Sequence, residues 1–271
     1  MGAVPGEMHI DEVKSFWEAH PVAAAAVPYP LGTTEYFAHY DGLREANESQ
    51  AFSAWLHEYD AFAGKSVLDV GCGNGYVLAN YARAGARVTG VDLTEAAVRL
   101  ARQRFVQAGL VGAFQTATAE ALPFSDDSFD CVCSMGVLHH TPDTARAVAE
   151  IWRVLRPGGR LIVMFYHRDS ALYRVNFRLQ QLFGAKSLQQ LVNEVDGIGN
   201  PKGDVYSRTE LEALLENFVD LEMFAGVLSG WMVLPRGGRF LPQRLLQPLA
   251  SRWGWFLYAK GRKQAAATSG L

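Results

Sequence analysis

Val67-Leu68-Asp69-Val70-Gly71-Cys72-Gly73-Asn74-Gly75, followed by Val88-Thr89-Gly90-Val91-Asp92, is the stretch that decides the fold. A short apolar run ending in glycines reads as a strand over 66–70. A helical pattern comes next over 76–84 with Gly85 as its stop, and 87–91 is a second apolar strand. Together they make a β-α-β unit. Glycines at the first strand-to-helix turn let the backbone approach a ligand closely, and an acid at the end of the next strand can accept from both hydroxyls of a ribose. Asp92, 23 residues after Asp69, stands where that geometry needs it.

Working outward, 94–108 reads as a helix with Thr94 as N-cap and Gly109 as stop. Strands are expected over 129–134 and 160–166, separated by a helix over about 143–155 that Pro157-Gly158-Gly159 terminates. Late strands are expected over 221–227 and 253–260. Strands alternating with helices predict an α/β fold whose mostly parallel sheet is covered on both faces. Some segments lack that rhythm. Residues 1–62, helical and aromatic-rich, read as a cap on a domain over 63–271, with a helical lid at about 167–208 and a basic insertion at about 228–252 between the last two strands. In the lid, Leu172, Val175, Leu179, Leu182 and Phe183 recur at helical spacing as one apolar stripe, and 196–201 is turn-rich. With Trp17, Tyr29, Tyr36 and Phe37 of the cap, the lid would enclose a partly apolar pocket.

Charge narrows the ligand. A dinucleotide site places a pyrophosphate at the glycine-rich turn, and a carboxylate there would repel it. Asp69 supplies that carboxylate, and G-x-G-x-G replaces the dinucleotide pattern G-x-G-x-x-G. The turn therefore prefers a cationic nucleoside ligand, and S-adenosylmethionine, with ammonium and sulfonium groups, fits.

The 271 residues are 49% hydrophobic and 20% charged, with 25 basic and 28 acidic side chains, which excludes a mainly disordered chain. No apolar run reaches the roughly 18 residues of a membrane-spanning helix. The first eleven residues lack the basic start and apolar stretch of a secretory signal, so a cytoplasmic location is expected. Cys72, Cys131 and Cys133 lack the further Cys or His pair of a zinc site; Cys131 and Cys133 read as same-face neighbours in a buried strand, and no metal is expected. After Glu222 there is no acid, and the last stretch carries +7 against −10 before it. That asymmetry suggests a basic rim, weak contact with an anionic membrane or lipid through 231–252, or a simple charge offset.

Further motifs stand in order along the chain: Val91-Asp92-Leu93-Thr94, Ala119-Glu120-Ala121-Leu122-Pro123-Phe124, Ser128-Phe129-Asp130, Val137-Leu138-His139-His140-Thr141-Pro142-Asp143 and Arg153-Val154-Leu155-Arg156-Pro157-Gly158-Gly159. With Asp-x-Gly-x-Gly-x-Gly before them, they resemble class I S-adenosylmethionine-dependent methyltransferases over about 64–166, most closely the small-molecule branch that includes the ubiquinone and menaquinone type. The resemblance implies a Rossmann-like, doubly wound, seven-stranded sheet with a reversed last strand and helical caps. It implies that Gly71, Cys72, Gly73 and Gly75 line the donor, Asp69 faces its amino group, Asp92 takes the ribose hydroxyls and Leu93 packs on the adenine. Ser134 joins this set. Where the family carries an acid two residues before Glu120, this chain has Thr118, so adenine contact falls to Thr118, the Ala119 backbone and Glu120.

Methyl transfer is an in-line displacement, so the enzyme must above all hold donor and acceptor aligned and dry. His139 and His140 lie just past the strand that begins at Phe129 and could deprotonate an acceptor, or could simply anchor the loop. Tyr166 and His167, ending the strand that begins at Arg160, are further candidates for the cleft. The expected function is methyl transfer to an O, N, S or C nucleophile of a small molecule. Nucleic-acid-directed transfer fits less well, since the chain is acidic overall and lacks an Asn/Asp-Pro-Pro-aromatic motif for a flipped base. Lipid-directed transfer and non-catalytic donor binding are also compatible with these motifs.

Overall fold

In a computed structural model describing residues 9–21, 26–184, 186–234 and 237–265, the apolar runs become seven strands. They are β1 (Ser66–Val70), β2 (Arg87–Asp92), β3 (Ala113–Thr116), β4 (Phe129–Met135), β5 (Leu155–Tyr166), β6 (Phe218–Gly226) and β7 (Phe256–Lys263). One sheet has the order β3-β2-β1-β4-β5-β7-β6. The first five strands pair in parallel, and β7 runs antiparallel to both β5 and β6, which is the expected reversed last strand. Sequence order changes direction between β1 and β4. In open α/β sheets the crevice at the carboxyl ends of such strands is where ligands bind.

Among the described residues, α1 (Ile10–Ala19), α2 (Thr34–Asn47) and α3 (Gln50–His57) precede the sheet. Within and after it lie α4 (Tyr76–Arg83), α5 (Glu95–Gln107), α6 (Thr144–Val154), α7 (Phe177–Phe183), α8 (Leu188–Asn193), α9 (Arg208–Leu214), α10 (Gly230–Val233) and α11 (Gln243–Trp253). Thr94 caps α5 by accepting from the Ala97 N–H, and Asp143 caps α6 by accepting from Arg146. Alternation along the strands splits the core in two. Val67, Cys131, Cys133, Ile162 and Met164 face one layer, and Leu68, Val70, Val132, Leu161 and Val163 the other. Cys131 and Cys133 are thus buried same-face neighbours. On the first layer, α2 docks against α5 where the buried Arg104 donates to both Asp41 oxygens at 2.9 and 2.8 Å and lies 4.5 Å over Phe37.

Several expected boundaries move. β3 has no counterpart among the expected strands, because of its four residues only Phe114 is buried and no alternation marks it. Pro157-Gly158-Gly159 does not end a helix: α6 stops at Val154, Leu155 already pairs with Phe129, and Arg156–Gly159 bulges before pairing resumes at Arg160. β6 starts three residues before the expected 221, and β7 starts three after the expected 253. Trp253 belongs to α11, while Lys260 and Lys263 stay within β7 because Glu58 and Asp127 accept from them at 2.8 and 2.7 Å. The lid stripe also differs. Leu172–Asn176 is a π turn, which rotates the helix after it, so the buried side chains are Leu172, Tyr173, Asn176 and Phe177, whereas Val175 is 40% and Leu182 75% exposed. Pro248 sits inside α11.

Candidate functional site

At the end of β1 the chain passes into Gly71, and the N–H groups of Gly71 and Cys72 donate to the Val91 carbonyl at 2.8 and 2.9 Å. Gly71 has φ +77°, and a Cβ there would fall 2.3 Å from the Val137 side chain, so the turn admits only glycine. Asp92, at the end of β2, closes the turn. Its Oδ2 accepts from the Gly73 N–H at 3.0 Å, and its Oδ1 accepts from the Thr94 N–H and hydroxyl at 3.0 and 2.9 Å. A carboxylate offers roughly four acceptor positions, so a ligand hydroxyl can still be received without releasing the loop. Burial raises the Asp92 pKa while the Thr94 and Gly73 bonds oppose it.

Asp69 is different in kind. Its side chain is buried at 3% exposure in β1, and its Oδ1 has no hydrogen-bond partner. Burial pushes its pKa up to about 7, against the Cys133 thiol and the charge of Arg44, with Asp92 adding to the rise. A buried carboxyl with an open acceptor beside a glycine-rich turn is poised for a cation, and an ammonium group would complete it. The residues present therefore fit a nucleoside carrying an amino group, and they do not fit a pyrophosphate.

The second half of the site lies past β4. Leu138–His140 is one 3-10 turn, and His139 is fully buried with neither ring nitrogen bonded. Its ring centre is 4.3 Å from that of His140 and 4.1 Å from that of Tyr166. Nδ1 of His140 lies 2.6 Å from the Lys202 carbonyl, which can only accept, so Nδ1 carries the hydrogen and a neutral ring leaves Nε2 free to accept. Across 3.5 Å, Nε2 faces Oδ2 of Asp196, and neither atom has a hydrogen-bond partner. The other Asp196 oxygen accepts from the Tyr166 hydroxyl at 2.6 Å. Burial holds His139 well below the usual histidine range, with His140 adding to it, and also lowers His140 against the pull of Asp196. Asp196 is raised by burial, opposed by His140 and Tyr166.

Both caps close on this cluster. The Asp204 N–H donates to the His139 carbonyl at 3.0 Å and the Tyr206 N–H to the Tyr166 carbonyl at 2.8 Å, which tie the lid to the site. From α1, the ring of Trp17 meets His140 edge-on at 5.1 Å, and Glu18 accepts from the Glu95 and Ala96 N–H groups at 3.0 and 3.1 Å. The N-terminus of α5 attracts such a carboxylate. Thus α1 bridges the acceptor side and the Asp92 side.

Other residues expected at the site lie elsewhere or do other work. The Glu120 carboxylate accepts from the Asp143 N–H at 2.6 Å, so it fastens the start of α6, and the Thr118 hydroxyl accepts from the Glu120 N–H at 3.3 Å. Ala119 is buried and Leu93 half-buried beyond Asp92. The Ser134 hydroxyl donates to the Val70 carbonyl at 2.8 Å and pins β4 to β1. His167 leaves the Tyr166 face, and its Nδ1 bonds the Gly254 carbonyl at 3.0 Å, which secures the end of β5 against the segment before β7. Tyr36 and Phe37 are buried side chains of α2, whereas Tyr29 is 44% exposed against His39. Asp196 and Glu18 join the site although no motif or spacing in the sequence marks them.

Residues 68–163 match the family model described as "Methyltransferase domain". The chain is 38% identical over 120 residues to the ubiquinone biosynthesis O-methyltransferase of Ralstonia nicotianae, covering 44% of this chain and 50% of that protein. It is 38% identical over 130 residues to the protein of that name from Alkalilimnicola ehrlichii, covering 48% and 51%. The chain therefore spans about half the length of these relatives. Among solved structures, a protein from Pyrococcus horikoshii superposes with a TM-score of 0.60 at 20% identity over 93% of this chain and 99% of that one. The [4+2]-cyclase SpnF superposes with a TM-score of 0.53 at 22% identity, covering 80% and 82%. The fold is that of class I S-adenosylmethionine-dependent methyltransferases, and the matched segment resembles the ubiquinone type. A cyclase on the same fold means that the reaction must be argued from the site.

Proposed function

We propose that the chain transfers the methyl group of S-adenosylmethionine to a small-molecule acceptor with an ionisable O–H, held beneath α1 and the 186–206 lid. The donor supplies an electrophilic methyl on its sulfonium. Asp69 receives the donor's ammonium group, Asp92 its ribose hydroxyls, and the backbone of Gly71, Cys72, Gly73 and Gly75 gives close approach. Leu93 covers the adenine, whose edge meets Thr118 and Ala119. On the acceptor side, His139 and the free Nε2 of His140 are neutral, desolvated bases able to take the acceptor proton. Asp196 is a positioning residue that favours the His140 ring once Nε2 has taken the proton, and the Tyr166 hydroxyl holds the Asp196 carboxylate in place.

The observation that carries this reading is the unpartnered, buried Oδ1 of Asp69 beside the turn that Asp92 closes. Calorimetry on the purified chain tests it: S-adenosylmethionine or its demethylated product should bind in the micromolar range, roughly −8 kcal/mol. A screen of phenolic and hydroxylated metabolites with methyl-labelled donor then identifies the acceptor. Binding of NAD without binding of S-adenosylmethionine would overturn the assignment.

A further inference from the structure

We propose that α10, α11 and the loop between them form a docking face for anionic phospholipid bilayers. On α11, Leu245, Leu249 and Trp253 stand at i, i+4 and i+8, one stripe along the helix, and they are 63%, 39% and 42% exposed. Leu246 points the other way and is buried, so α11 has an inward apolar contact and a second, outward apolar face. Phe240 at 74% and Trp231 at 48% exposure are two further exposed rings on the segment just before α11. Folding leaves these side chains in water although each loses by it.

The charges select the occupant. Arg239, Arg244 and Arg252 are exposed along the same segment, with Arg239 4.8 Å over the Phe240 ring and Arg252 5.8 Å over Trp253. Lys260 and Lys263 of the same acid-free stretch are tied to Glu58 and Asp127, whereas among the described residues no carboxylate lies within ion-pair distance of these three arginines. Arginines beside leucine and tryptophan match an anionic interface, where apolar rings enter the headgroup boundary and cations meet phosphates. A second copy fits poorly, because a two-fold contact would press this acid-free, arginine-bearing patch against the same patch with no carboxylate to meet its charge. The −10 carried by residues 1–222 turns the remaining surface away from an anionic bilayer, so docking has one orientation. From the exposed Trp231 an aromatic series runs inward through Trp255 to the buried Tyr166, with ring centres 5.9 and 5.1 Å apart in succession.

Co-sedimentation of the full chain with phosphatidylcholine vesicles, with and without phosphatidylglycerol, tests the proposal. The chain should pellet with the anionic vesicles at low salt and be released at about 1 M salt, where the screening length is about 3 Å. Replacing Arg239, Arg244 and Arg252 by Ser should weaken partitioning about a hundredfold, roughly fivefold for each. Phe240→Ser with Leu245→Ser should weaken it too. All these side chains are exposed, so unchanged circular dichroism and melting verify the fold. No pelleting at low salt, equal pelleting with neutral vesicles, or arginine variants that pellet like the parent would each overturn the proposal. A dimer in sedimentation velocity that Leu245→Ser dissolves would do so as well, since the face would then belong to a second copy.

Discussion

Replacing Asp69 by Asn should make the ligand-free protein more stable and its donor site worse. Asp69 is buried with its pKa at about 7, against 3.8 for an unperturbed side chain. The folded state therefore holds a proton that the unfolded state releases between these values. Stability falls as pH rises through that window, and above about 7 the full cost of the buried charge is present. At 1.36 kcal/mol per pKa unit this is on the order of 4 kcal/mol. Asn has the same shape without the charge, so Asp69→Asn should raise the melting temperature at pH 8 by about 10 °C and leave it nearly unchanged at pH 4. Donor affinity should fall by about 2 kcal/mol or more, because an amide oxygen replaces a carboxylate opposite an ammonium group. Calorimetry of the parent at pH 7 in two buffers of different ionisation enthalpy should report release of about half a proton on binding, as the ligand's charge draws Asp69 to its ionised form. Thermal melts across pH, with donor titrations of both proteins, decide the matter. A stability gain independent of pH, or a variant that melts lower than the parent at pH 8, would refute the reasoning.

Asp92→Asn should gain less stability at pH 8 than Asp69→Asn, because burial raises the Asp92 pKa too but an amide can no longer accept from both Gly73 and Thr94; it should bind the donor about 2 kcal/mol more weakly, and a melting gain equal to that of Asp69→Asn would count against this. His139→Ala and His140→Ala should slow turnover by about 10²- to 10⁴-fold with donor affinity retained; unchanged turnover in both would make these residues loop anchors. Because burial lowers both histidines, they stay neutral on acidification to below their ordinary range, so kcat with saturating donor, which holds Asp69 ionised, should stay steady from pH 8 to about 6.5 and fall only below it. A fall that begins above pH 7 would point to another group. Glu18→Gln removes the charge at the start of α5 and should speed hydrogen exchange in α1 while costing about 1 kcal/mol of stability, read by exchange mass spectrometry and melting.

The donor half of this site is legible in the sequence because its geometry is local. The Gly71 to Gly75 turn and Asp92 sit on one β-α-β unit, where backbone conformation dictates residue type, so glycine at φ +77° leaves a mark in sequence. The same local logic locates Thr94 as the cap of α5. It misleads at Glu120, whose place in a motif says nothing of the Asp143 N–H that its carboxylate meets from 23 residues away. Charge at the end of a strand is equally opaque. The expected strand stops at Lys260, but β7 runs on to Lys263, and Glu58 and Asp127 reach these two lysines from distant segments.

The acceptor half is half-legible for a related reason. His139 and His140 stand out as adjacent histidines after a strand, yet Asp196, the partner that gives His140 its setting, arrives on a lid 56 residues further along the chain. A π turn at Leu172–Asn176 rotates the lid helix, so the periodicity that places Val175 and Leu182 inward describes a straight helix this chain does not make. In the proposed reaction acceptor recognition falls to that lid and to α1, the parts with the weakest sequence rhythm. Asp196→Asn separates the two roles of the lid. If Asp196 orients His140, the variant should keep donor affinity and lower kcat by about tenfold, with Tyr166→Phe milder because it removes one bond to the same carboxylate. If the lid only encloses, KM for the acceptor should rise with kcat unchanged, and that split would remove Asp196 from the positioning role.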